Sequence, residues 1–191
     1  MQVRGLLAAV LVLAGLAGAI WWSNQRKKAE EGKPSPDAPP EILKIPAGQI
    51  REIQIRRSGK EPMALRKTDT GAWIMASPPQ WPVDQDMANG MAATLYSLIS
   101  DRLVEEKPDD YGQFGLAAPA VEVLIVRQDG VSHKLLIGDE TPAGGARFVR
   151  VEGDPRVFTL AGYNVSTLDK TAREVRDKRL LTFDRDKLTR L

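Results

Sequence analysis

The chain of 191 residues contains no cysteine, one histidine, and 27 basic against 25 acidic side chains. Thiol catalysis, cysteine-ligated zinc and iron–sulfur clusters are excluded, as is a multi-histidine metal site within one chain. With 6% aromatic and 27% charged residues, the composition fits neither a disulfide scaffold nor a long disordered tail.

Residues 1–22 read as an N-terminal membrane anchor. Within them, residues 5–22 form an 18-residue run without a charge. As a helix this run is about 27 Å long, close to the roughly 30 Å hydrocarbon core of a bilayer. Trp21 and Trp22 stand at its end, where indoles favour the membrane–water interface, and Arg26, Lys27 and Lys28 follow. A cleaved signal peptide competes with this reading, since Ala17-Gly18-Ala19 matches the small-residue cleavage pattern. Cleavage there leaves Ile20-Trp21-Trp22 as a hydrophobic terminus, which favours the anchor. Residues 23–40, SNQRKKAEEGKPSPDAPP, are too polar and Pro-rich to bury a core and read as a flexible linker.

Residues 41–191 hold 22 basic and 22 acidic side chains, so this segment is neutral. Nucleic-acid binding draws its affinity from phosphate neutralisation and is not expected here. In QIREIQIRR, Ile50, Ile53 and Ile55 predict an alternating, half-buried strand, with Arg51, Gln54 and Arg56 among its outward candidates. Ser58-Gly59-Lys60 and Thr68-Asp69-Thr70-Gly71 read as turns around strands at Met63–Lys67 and Ala72–Met75, and Pro78-Pro79-Gln80-Trp81-Pro82 breaks the sheet.

Asp84 reads as the N-cap of a helix running to about Ser100, its apolar stripe being Met87, Met91, Leu95 and Leu98. Asp101–Glu106 then extends. Asp129-Gly130 predicts a hairpin between Val121–Val126 and His133–Gly138, and Gly153-Asp154-Pro155 another between Arg147–Val151 and Val157–Ala161. A helix over Val165–Lys178 follows, with Glu174 and Lys178 as an i,i+4 pair. Antiparallel strand runs, each closed by a helix, predict an α+β fold preceded by one transmembrane helix.

The order of these features resembles the bacterial domain-of-unknown-function 4340 family. The matching stretches are the Ile50–Ile55 strand, Trp73-Ile74 followed by Pro78, the helix ending in Leu98, and Tyr111-Gly112-Gln113-Phe114-Gly115-Leu116 with Pro119. Leu136-Ile137-Gly138 with Thr141-Pro142, and Arg176-Asp177-Lys178, complete the set. The resemblance covers about residues 42–185. It implies a single-pass protein of the bacterial inner membrane, associated with ABC-type transport systems; the signal-like N-terminus places the folded body on the extracytoplasmic side. Positive-inside counting points the other way. The family supplies no catalytic residues to carry over. Members are commonly longer, and Leu181–Leu191 reads as the opening of a further unit.

Individual candidates divide as follows. His133 and Ser132 adjoin on a strand and face opposite ways, so they make no nucleophile–base pair. Asp101, Glu105, Glu106, Asp109 and Asp110 lack the spacing of an EF-hand and read as an acidic loop. Asp84 and Asp86 suit helix capping as well as acid–base work. The loop Gly138–Gly145 lacks a phosphate-binding pattern and reads as a hairpin connection. Trp81, bracketed by prolines, and Tyr111 and Phe114 in the acidic-aromatic turn are the candidate partner or ligand surface.

The expected function is that of a membrane-tethered, non-enzymatic binding or assembly module, accessory to a transport complex. Its expected partners are the lipid bilayer and other membrane proteins; no cofactor or metal is expected. Carboxylate-dependent hydrolysis and envelope-polymer binding are the alternatives.

Overall fold

The computed structural model describes residues 39–79 and 81–179. Strands β1 (Glu41–Lys44), β2 (Ile50–Arg57), β3 (Met63–Lys67) and β4 (Trp73–Ser77) precede helix α1 (Gln85–Tyr96). Short strands β5 (Ser97–Ile99) and β6 (Arg102–Glu105) follow, then β7 (Val121–Arg127), β8 (Ser132–Glu140), β9 (Ala146–Val151) and β10 (Val157–Ala161). Two short helices, α2 (Gly162–Leu168) and α3 (Ala172–Val175), complete the described order.

One sheet of eight strands runs β4-β3-β2-β7-β8-β9-β10-β6, every neighbour antiparallel. It consists of two meanders joined by the pairing of β2 with β7, with β6 added at the far edge. The meander turns hold Gly59, Gly71, Gly130 and Gly153, all at positive φ, a backbone state that an L side chain resists. Period-two alternation sends Ile53, Ile55, Leu65, Val123, Ile125 and Leu135 to one face, where all are fully buried. Ile50 joins them despite its odd spacing, because a register shift between Ile50 and Glu52 turns the strand. Helix α1 covers this face with Ala88, Met91, Ala92 and Leu95, and α2 and α3 add Val165, Leu168 and Val175. A smaller apolar cluster of Phe114, Leu116, Leu136 and Val157 sits apart from this core.

The α+β class holds, but without a transmembrane helix: no helix among the described residues is long and apolar enough to cross a membrane. The longest of them, α1, has 12 residues, about 18 Å against a core of roughly 30 Å. Residues 5–22, with Trp21, Trp22, Arg26, Lys27 and Lys28, lie outside the described residues. Bilayer tethering, single-pass location in the inner membrane and a membrane-tethered function are therefore withdrawn.

The helix expected to reach Ser100 stops at Tyr96. Ser97–Ile99 pair instead with β1, a strand the hydropathy pattern did not mark, and the Ile45 amide takes the Tyr96 carbonyl at 3.0 Å. The helix expected over Val165–Lys178 is two. Thr171 starts the second with a capping box, in which Glu174 bonds back to the Thr171 amide at 2.8 Å rather than pairing forward with Lys178.

Candidate functional site

Strand β4 is an edge of the large sheet and carries no charged residue between Trp73 and Ser77. Ala72 bonds Thr68 on the inner side, its carbonyl accepting from the Thr68 amide at 2.8 Å. Backbone groups alternate along a strand, so those of Trp73 and Met75 point to the free side. At Trp73 a side chain already imitates a neighbouring strand. Gln85 Oε1 accepts from the Trp73 amide at 2.8 Å, and Gln85 Nε2 donates to the Trp73 carbonyl at 2.9 Å. One step along, no described residue is bonded to Met75 on that side.

The segment after β4 shapes the space beside this edge. Asp84 caps α1, its Oδ1 accepting from the Asp86 and Met87 amides at 3.1 Å each. The same segment is stitched to α3: the Asp84 amide donates to the Val175 carbonyl at 2.9 Å, and the Asp177 amide to the Pro82 carbonyl at 2.8 Å. Trp81 is thereby held half-buried with the Arg176 guanidinium 5.5 Å from its ring centre.

Trp81 forms a wall common to two grooves. The first, of about 600 Å³, is mainly apolar and runs along the β4 edge between Ile74, Met75, Pro79 and Pro82. Ile74, 47% exposed, lines it. The second, of about 330 Å³, lies between Pro62, Pro78 and Ala172, with Arg57, Lys60 and Arg173 supplying charge.

The other two aromatic candidates lie elsewhere in the fold. Phe114 is buried, its ring 5.0 Å from that of Phe148, and so packs rather than presents a surface. Tyr111 is half-buried, with the Arg150 guanidinium 4.0 Å from its ring centre and its hydroxyl donating to the Pro155 carbonyl at 3.1 Å. It borders a groove of about 410 Å³ where Asp109, Asp110, Glu122 and Glu152 also lie. No three His, Asp or Glu side chains among the described residues are placed to hold a metal ion. In the glycine loop, Glu140 itself accepts from the Gly145 amide at 3.3 Å, so this N–H is met by the chain's own carboxylate.

The carboxyls shifted by their surroundings are all lowered. Arg156 holds Asp154 down, Thr171 holds Glu174 down, and Arg179 brings Asp177 to about 2. A general acid needs the opposite shift. Arg57, Met75 and Gln85 were not marked by the sequence reading. Arg57 had a legible signal, since it shares the parity of Ile53 and Ile55 and so enters the core side of β2. The role of Gln85 depends on where α1 meets β4, which no local pattern encodes.

Several matched motifs meet in this fold: Trp73-Ile74 and Pro78 flank the β4 edge, and Tyr111–Leu116 packs on Leu136–Gly138. A family model described as Domain of unknown function (DUF4340) matches residues 73–191. The chain belongs to that family. The match begins at β4, so the Ile50–Ile55 strand counted in the resemblance lies outside it. Nothing in the match supports membrane anchoring or transport association. Comparison with curated proteins and with solved structures finds no match.

Proposed function

We propose that this domain works by binding rather than by bond chemistry, and that it takes up an extended polypeptide segment as an added strand on β4. The observation that carries this reading is the uncharged β4 edge, with the Met75 backbone turned outward beside an apolar groove. Sheet edges are ordinarily blunted by charge, proline or cover, because unpaired backbone groups recruit another strand. The other edge of the sheet, β6, ends in Arg102 and Glu105. On β4 Gln85 covers Trp73, and a register shift between Met75 and Ser77 followed by Pro78 and Pro79 closes the other end, which leaves Met75 between them. An incoming strand gains main-chain hydrogen bonds at Met75, and its alternate side chains meet Ile74 and Trp81.

Amide hydrogen exchange of the full chain, with and without a short acetylated peptide of alternating valine and threonine, tests this. Slower exchange at the Met75 amide on binding is the expected result. Binding that leaves Met75 unprotected would show that the edge is not the site.

A further inference from the structure

The second Trp81 groove goes beyond strand addition, and the choice of its occupant rests on that reading. Arg57 ends β2 on its core-facing side, and its side chain is only 6% exposed. Nε donates to Asp169, at the end of α2. A guanidinium has five donors in a planar fork, and Nη2 is buried without an acceptor among the described residues. A buried donor left unmade costs free energy that an oxygen ligand recovers.

Around this head the groove adds Lys60 and Arg173 as cations and Glu61 as the one lining carboxylate, with Trp81, Pro62 and Pro78 as apolar walls. Glu174 also senses the charge of Arg57. With Asp169, Glu61 and Glu174 this close, a dianion is disfavoured and a single negative charge beside an apolar group is favoured. A planar carboxylate also matches the fork. Trp81 walls both grooves and Pro78, which follows the C-terminal end of β4, lines the second, so a segment added parallel to β4 would run its carboxyl end toward the Arg57 groove.

We propose that this groove is a carboxylate-binding site that receives the carboxyl end of the polypeptide added to β4. Calorimetry on the full chain compares a short acetylated peptide ending in Val-Phe as free acid, the same peptide as C-terminal amide, and an amide carrying an internal glutamate. Phenylacetate serves as a probe of the groove alone. The free acid is expected to bind about tenfold more tightly than the amide, as for one charge-assisted hydrogen-bonded contact. Arg57→Lys keeps the charge facing Asp169 but loses the fork, and should remove that margin while leaving amide binding intact.

Should Arg57→Lys fail to fold, the exposed pair Lys60→Gln/Arg173→Gln should narrow the margin and weaken phenylacetate binding. Equal binding of acid and amide, with Met75 still protected, overturns the carboxylate site and leaves strand addition standing. Arg57-dependent binding of phenylacetate with no peptide binding keeps the carboxylate site and removes strand addition. An internal-glutamate amide that matches the free acid overturns the assignment to a chain end. Binding of none of the probes overturns both readings.

Discussion

Gly138 lies against the backbone of Phe114 so closely that a Cβ at 138 would fall 2.1 Å from the Phe114 carbonyl oxygen. That approach lets the 111–116 turn rest on β8 and seal Phe114, Leu116, Leu136 and Val157 into the second apolar cluster. Gly115, at φ 66°, meets the Asp139 side chain in the same contact. Gly138→Ala should therefore destabilise the fold by about 3 kcal/mol, through overpacking against rigid backbone. The urea midpoint measures this, and a shift under about 0.5 kcal/mol, typical of an open surface site, would refute the packing account.

Gln85 holds both backbone groups of Trp73. Gln85→Ala should cost about 1–3 kcal/mol from three lost bonds, the third donated by Nε2 to the Val83 carbonyl at 3.1 Å, and it also lengthens the open β4 edge. The variant is expected to show a lower urea midpoint together with a concentration-dependent gain in self-association by sedimentation. Unchanged sedimentation would mean that Gln85 does not guard the edge.

Ile74→Lys places a charge on the exposed face of that edge. As a surface change it should alter stability by no more than about 0.5 kcal/mol, while abolishing peptide-induced protection of Met75, since an edge lysine opposes strand pairing. Retained protection in this variant would count against strand addition.

Glu52 is the buried acid of β2. Burial works to raise its carboxyl, but hydrogen bonds from Arg66 and Gln54 and the charges of Arg66 and Arg51 outweigh it and hold the carboxyl below its ordinary 4.5. A carboxyl lowered by folding stabilises the native state fully above its unfolded value and loses that contribution as the pH falls through its folded one. Wild type should therefore exceed Glu52→Gln in stability at neutral pH, and the gap should narrow steadily as the pH is taken below 4.5. Denaturant midpoints across that range decide it; a constant gap would mean that Glu52 contributes by packing alone.

Period two and turn chemistry carried most of the sheet. Alternation marked β2, β7 and β8, and Asp129-Gly130 and Gly153 fixed two hairpins, because those signals are local. The bulge at Ile50 and Glu52 was not legible, since a register shift is decided by the partner strand, here β7. The end of α1 was misplaced for the same kind of reason: β1 captures Ser97–Ile99 from a distance. Of the candidate surface, Trp81 drew notice through its prolines, whereas Phe114 looked available only until Phe148 was brought beside it.

The seam between the two meanders bears on how the chain reaches this state. Ile53 must find Ile125, and Ile55 must find Val123, across the whole of β3, β4, α1, β5 and β6. Each meander closes short loops at little entropic cost, but this seam closes a very long one. Chains whose ladders join such distant partners cross the rate-limiting barrier slowly. Side chains along the seam are therefore expected to govern the refolding rate, and those at the outer hairpins chiefly the rate of unfolding.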